Sequence, residues 1–336
     1  MSNLSLLDIF LKIIGVVIIA FLGVILGLFY KGIDRKLAAR MQARIGPPIR
    51  QPFRDFFKLM IKENIVPENA VPWIFNGMPI ITLVTSITIL FYLPFGKISP
   101  LLNGYGDIIL VAYLLTIPAV GMVVGGFASG SPYANFGAQR EVVMMMSYEL
   151  PLVTTIISIS WRLSQAYPEL NIFSLAVINA HPIWGLVGPL GFLGTILLFI
   201  TLAIVTPGEL SKIPFDAPEA DTELAGGLLV EYSGRNLALF TLADAVKTVA
   251  MASLTVILFF PYNIAHLFSL NGIFAIIIDF LFFLTKLFLV IFAEVTFIRV
   301  AAARLKIDQV SFAYWVPLAL LGLLGLALIF LDTIIV

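Results

Sequence analysis

The chain has 336 residues, of which 60% are hydrophobic and 12% charged, with 28 Phe and a mean hydropathy of +1.04. That composition excludes an ordinary soluble domain and places the chain among polytopic membrane proteins. Twenty basic and twenty acidic side chains cancel, and the absence of cysteine excludes a disulfide, a thiolate-bound zinc or an iron–sulfur cluster held by this chain alone.

Runs of the ~20 apolar residues needed to cross ~30 Å of hydrocarbon predict eight spans: Ile9 to Tyr30, Trp73 to Phe95, Asp107 to Phe127, Val142 to Trp161, Gly185 to Thr206, Leu237 to Phe260, Phe274 to Ile298 and Tyr314 to Val336. None alternates as a barrel strand does. The expected fold is all-α: a polytopic integral membrane bundle of about eight helices, residues 1–336 forming a single integral membrane domain. The first span has no basic region ahead of it and reads as a retained helix rather than a cleaved signal. Lys12, near its end, is placed to snorkel.

The first loop, residues 31–72, carries nine bases: Lys31, Arg35, Lys36, Arg40, Arg44, Arg50, Arg54, Lys58 and Lys62. Within it FRDFFKLMIK puts Phe53, Phe56, Phe57 and Met60 on one helical face and Arg54, Lys58 and Lys62 on another, which predicts an interfacial amphipathic helix. Two uses fit: anchoring in the lipid boundary, or docking of a partner, with Arg35, Arg40, Arg44, Arg50, Arg54 and Lys58 as donors to carboxylates. Loops three, five and seven add Arg140, then Lys212 and Arg235, then Arg299, Arg304 and Lys306, whereas the even loops offer only Lys97 and Arg162. The odd loops are therefore expected in the cytoplasm and both termini outside. His181 and His266 are single residues in the even loops, too few for a metal site. Gly23/Gly27 and Gly121/Gly125 read as close helix packing.

Span four contains Glu149, followed by Pro151, whose missing N–H opens the helix ladder beside the carboxylate; Glu141 lies eight residues earlier. Loop five, residues 207–236, holds six acids from Glu209 to Glu231, including Asp216, Glu219, Asp221 and Glu223. It reads either as a solvated acidic loop or as a cluster whose mutual repulsion keeps protons exchangeable unless bases from elsewhere clamp it. Asp244 and Lys247 in span six are i,i+3 neighbours and candidates for an ion pair, while Asp279, Lys286 and Glu294 in span seven share one helix side. Each intramembrane charge costs ~2.5–3.5 kcal/mol unless paired or hydrated, so these residues either fix helix register or line a hydrated proton path.

The loop-five wording IPFDAPEADTELAGGLLVEYSG, the first-loop stretch RKLAARMQARIGPPIRQPFRDFFKLMIKENIVPENA and REVVMMMSYELP at Arg140 to Pro151 closely resemble the H-type subunit of respiratory complex I and its relatives in membrane-bound hydrogenases. The resemblance covers nearly the whole chain. It departs from the quinone-reducing branch at REVVMMM, at GPPIRQP and at LADA in span six, and looks more like the hydrogenase, formate hydrogenlyase and sulfur-reducing branch. It implies a membrane anchor in a prokaryotic cell membrane that docks a hydrogenase-like large subunit and an iron–sulfur small subunit on the cytoplasmic side, beside antiporter-like and small membrane subunits. No cofactor is expected on this chain: iron–sulfur clusters and a nickel–iron centre are expected in partners, the bilayer is expected around it, and no nucleic acid. The implied proton path comprises Glu141, Glu149, Asp216, Glu219, Asp221, Glu223, Glu231, Asp244, Lys247, Asp279, Lys286 and Glu294. The alternatives are a subunit lining a quinone cavity and a stand-alone ion transporter.

Overall fold

The computed structural model describes residues 6–104, 106–268 and 272–335, with all side chains in them except those of residues 6–9 and His266. The expected span limit at Val336 and the side chains of Ile9 and His266 thus lie outside the description. Among the described residues eight helices are long and apolar enough to cross a membrane, and no strand is present.

The elements in order are α1 (Leu6–Met41), α2 (Gln51–Ile61), α3 (Pro72–Tyr92), α4 (Asp107–Ala128), α5 (Pro132–Ala166), α6 (Leu175–Ala180), α7 (Pro189–Glu209), α8 (Asp221–Leu224), α9 (Gly234–Phe259), α10 (Ile273–Ile291), α11 (Ile298–Ala301), α12 (Ile307–Ala313) and α13 (Ala319–Ile335). A π-helical turn, Phe292–Phe297, joins α10 to α11, and another, Tyr314–Leu318, joins α12 to α13, so spans seven and eight are each continuous. Proline sits in the first turn of α2, α3, α5 and α7, where its missing N–H has no intrahelical partner to lose.

The eight expected spans are present with shifted ends. Span one continues to Met41, so Lys31, Arg35 and Arg40 extend a transmembrane helix rather than sit in a loop. Span four begins at Pro132, and α5 runs on through Pro151 to Ala166. The Thr154 and Thr155 hydroxyls donate back to the Pro151 carbonyl, at 2.9 and 3.0 Å.

Helix α9 is the axis of the bundle: 89% of its most apolar window is buried, against 22–50% in the other spans. It packs against α1, α2, α3, α7 and α10. Its small residues, Ala243, Ala245, Ala250 and Ala252 among them, are buried and let neighbouring backbones approach. Helix α2 is the expected amphipathic helix. Phe53 and Phe56 pack towards Leu28, Leu242 and Ala245, whereas Phe57 and Met60 are exposed, so the aromatic face divides between bundle and surroundings.

Loop five is not a solvated arch. Pro214 to Pro218 are buried, and the segment returns through short helical turns and α8 to α9. The turn requires left-handed backbone at Ala225, Gly226 and Gly227. At Gly227, φ +55°, a side chain would also collide with the Pro218 carbonyl. Two bases from elsewhere fasten the loop: Arg304 grips Asp216 with both ends of its fork, at 2.8 and 2.5 Å, and Arg140 reaches Glu223 at 2.5 Å. Its far end is anchored by Tyr232, stacked on Phe75 with ring centroids 4.1 Å apart.

Candidate functional site

Between α1, α9, span seven and the start of loop five lies a cavity of about 260 Å³. Its wall carries Asp34, Glu209, Glu219 and Asp244 among acids, and Lys31, Arg35, Lys212, Lys247 and Arg299 among bases. Asp244 is the hub: Lys212 Nζ contacts its two carboxylate oxygens at 2.8 and 2.9 Å, and Lys31 Nζ donates at 2.9 Å. On the α1 side Asp34 accepts from the Thr296 hydroxyl at 2.8 Å and from Arg299 at 2.7 Å.

Burial draws the Lys212 ammonium down, but Asp244 and then Glu219 outweigh it and hold Lys212 above the ordinary lysine value. Burial pushes the Glu219 carboxyl up; Lys212 opposes this, and Asp244 repels a second negative charge. Glu219 is thus the loop acid that favours its proton while facing a basic wall.

Deeper in the bundle Lys247 meets Glu209, with nitrogen and oxygen 2.7 Å apart and both side chains buried. The ammonium also donates to the Glu209 backbone carbonyl at 2.8 Å. Apart from the Lys247 contact, the Glu209 carboxylate oxygens and the nearby Tyr148 hydroxyl have no aligned hydrogen bond among the described residues, and all three atoms are fully buried. Glu141 is buried too, its carboxylate receiving the Ser211 hydroxyl at 3.3 Å, and it lies within electrostatic reach of Lys247, Glu219 and Glu209. In the π turn of span seven, buried Glu294 accepts from the Thr255 hydroxyl at 3.3 Å; its second oxygen has no partner among the described residues.

Several sequence expectations need correction here. Asp244 and Lys247 share one face of α9 and both line the cavity but do not pair, because each meets a closer partner from α1, loop five or the end of α7. Asp279, Lys286 and Glu294 share the buried face of their helix but form no continuous stripe. Asp279 caps the amides of Ile264 and Ala265, at 3.0 and 2.8 Å, and Lys286 caps the carbonyls of Phe260 and Tyr262, both at 2.8 Å. Glu149 is half-buried and off the cavity wall. The acids of loop five do not form one cluster: Asp216 and Glu223 are clamped by arginines, Glu219 faces the cavity, Asp221 is exposed and Glu231 is half-buried elsewhere. Of the first-loop bases, Arg35 pairs with Asp55 at 3.1 Å, while Arg40, Arg44, Arg50, Arg54 and Lys58 are exposed.

Sequence reasoning leaves out Glu209, Lys31, Asp34, Lys212 and Arg299 as site residues. The usable signal is positional: Glu209 is the last residue of the helix that carries span five, and Lys31 and Asp34 follow directly on span one.

The chain matches the NADH dehydrogenase family over residues 13–330. It is 33% identical over 320 residues to the H-type subunit of the NADH-quinone oxidoreductase of Brevibacillus brevis, covering 92% of this chain and 90% of that protein. To the corresponding NADH-quinone oxidoreductase chain of Anoxybacillus flavithermus it is 32% identical over 321 residues, covering 91% and 90%. A chain in the structure of the membrane-bound sulfane sulfur reductase, an archaeal respiratory membrane complex, superposes with a TM-score of 0.81 at 28% identity, covering 95% of this chain and 99% of that one. Family match, eight-span fold and charged interior agree: the chain belongs to the NADH dehydrogenase family and is an H-type, multi-pass membrane subunit of a complex I-like respiratory complex.

Proposed function

We propose that this subunit anchors a cytoplasmic, hydrogenase-like redox arm and couples its electron transfer to movement of protons or sodium ions. The observation that carries the reading is Asp244, held between Lys31 and Lys212 in the wall of a charged cavity directly beneath loop five. A carboxylate bridging two ammonium groups is a switchable element: a charge arriving above it changes which lysine it favours and whether Glu219 keeps its proton. Beyond it Lys247 and Glu209, on the wall of the same cavity, and Tyr148 and Glu141, buried outside it, form a polar group that water in the cavity would reach through Glu209. Glu149 and Glu294 extend this group within α5 and span seven, and the clamped acids Asp216 and Glu223, with Asp221 and Glu231, set the field above it. Asp279 and Lys286 take a structural part, since both are committed to backbone caps.

Iron–sulfur clusters and a nickel–iron centre would belong to partner subunits, because a chain without cysteine supplies no thiolate to bind them. The exposed bases Arg40, Arg44, Arg50, Arg54 and Lys58 present the surface on which the arm would dock, on the cytoplasmic side of a prokaryotic cell membrane, with antiporter-like subunits alongside and both termini outside.

The test replaces Asp244 by Asn in the intact complex, reconstituted in vesicles, and follows electron transfer and ion uptake together. The expected result is assembly with continued electron transfer and a collapse of ions moved per electron. An unchanged ratio overturns the proposal.

A second reading, a quinone cavity, draws on a separate cavity of about 280 Å³ between α1, α2 and α9. Its wall includes Lys31, Arg35, Asp55, Lys58 and Lys62, a poor match for an apolar tail, so this reading stands second.

A further inference from the structure

At the end of the bundle away from loop five, a cavity of about 260 Å³ opens among α1, α3, α9, α10 and the segment after α3. On α1 its wall is Gly15, Ile18, Ile19, Leu22, Gly23 and Leu26, and across from them stand Leu90, Phe95, Ile98, Leu101 and Phe280. The lining is apolar except for Ser99. Its wall draws on spans one, two, six and seven and on the segment that follows span two.

Two lysines mark its mouth. Lys12, Ile19 and Leu26 are spaced by seven residues, two turns of helix, so Lys12 continues the cavity face of α1 towards the helix end. Lys97 sits at the tip of a tight turn in which Phe95 and Ile98 exchange both backbone hydrogen bonds, each 3.1 Å. Gly96 makes that turn possible: its φ is +64°, and an added side chain would lie 2.9 Å from the Asp279 carbonyl. The turn is therefore fixed against α10, with Phe95 and Ile98 in the cavity wall and Lys97 exposed above them. The other two bases near this end are engaged, Arg162 with the Leu186 carbonyl and Asp332, and Lys286 with two carbonyls. Lys12 and Lys97 have no ion-pair or hydrogen-bond partner among the described residues.

We propose that this cavity holds one hydrocarbon chain of an anionic lipid whose phosphate lies between Lys12 and Lys97. The apolar slot supplies the chain site and the two ammonium groups supply the charge selectivity. Lys12 and Lys97 stand at the end of the bundle whose loops are otherwise poor in bases.

The test uses the whole complex, extracted in mild detergent and stripped of loosely held lipid. It is incubated with an anionic phosphatidylglycerol, or a zwitterionic phosphatidylcholine, carrying a photoreactive group in the acyl chain, and labelled peptides are mapped. The expected result is labelling of residues 15–26 and 95–101 by the anionic lipid in preference to the zwitterionic one. Labelling should fall about fivefold for each lysine removed in Lys12→Gln and Lys97→Gln, as a cation near the headgroup plane contributes about that factor. It should also be lost in Ser99→Trp, which crowds the mouth without altering charge. Equal labelling by both lipids in the wild-type complex overturns the proposal even if a variant fails to assemble, since it identifies a slot for any neutral chain. So does labelling that persists in the double lysine variant.

Discussion

Glu219 and Lys212 face each other across the main cavity wall with opposite tendencies: the carboxyl is biased towards its neutral form and the ammonium towards its charged form. For Glu219 the folded protein binds a proton more tightly than the unfolded chain does. Its contribution to stability is therefore complete below the ordinary value of 4.5 and is lost as pH rises through the higher folded value. Infrared difference titration of the assembled complex should lose a carboxyl signal on the high side of the ordinary glutamate value when Glu219→Gln is compared with wild type; a spectrum identical to wild type rejects the assignment. The buried pair behaves differently. Lys247→Met strands the Glu209 carboxylate and should cost about 3–5 kcal/mol, whereas Lys247→Met with Glu209→Leu removes both charges and should recover most of it, measured by denaturation in detergent. At this scale the sequence exposes which residues are ionisable at membrane depth but not their partners. Asp244 and Lys247 look like a pair from spacing alone, yet each is claimed by a residue at least 32 positions away.

Secondary elements are far more legible than contacts, because span length and the aromatic–basic periodicity of α2 are written locally. The differences fall where hydropathy drops but the helix does not stop. Polar residues past Tyr30 end the predicted span, while the backbone of α1 continues to Met41 without a proline or a cap to break it. For loop five the sequence leaves open a solvated loop or acids clamped by bases from elsewhere, and the structure shows the clamp. Only the distant arginines reveal that Pro214 to Pro218 are folded into the bundle. The turn at Gly227 should be the loop's weakest point for substitution. Gly227→Ala adds a clash to a left-handed backbone, should destabilise the loop by about 1–3 kcal/mol, and should appear as faster proteolysis within residues 221–223. Arg304→Lys, which keeps the charge and loses the fork, should increase cleavage at the same place to a smaller extent.

Across the molecule, polar groups are distributed asymmetrically. The loop-five end holds a cavity lined by charged side chains, while the opposite end is pinned by Asp279, Lys286 and the Arg162–Asp332 pair. Lys286→Met should accordingly lower the melting temperature of the purified complex yet leave ions moved per electron unchanged; a lowered ratio would return Lys286 to the conducting set. Family membership is readable from three stretches of sequence, whereas the asymmetry is not, since it arises from long-range packing around α9.

Helix α1 connects these two ends as one uninterrupted rod of 36 residues, roughly 54 Å long at 1.5 Å per residue. It bears Ile18 and Leu22 in one half and Lys31 and Asp34 in the other. A rod has no way to tilt at one tip alone. A hydrocarbon chain seated in the slot beside its outer half would therefore bear on the same helix that carries Lys31 to Asp244, so on the proposal made above bilayer composition should alter ions moved per electron.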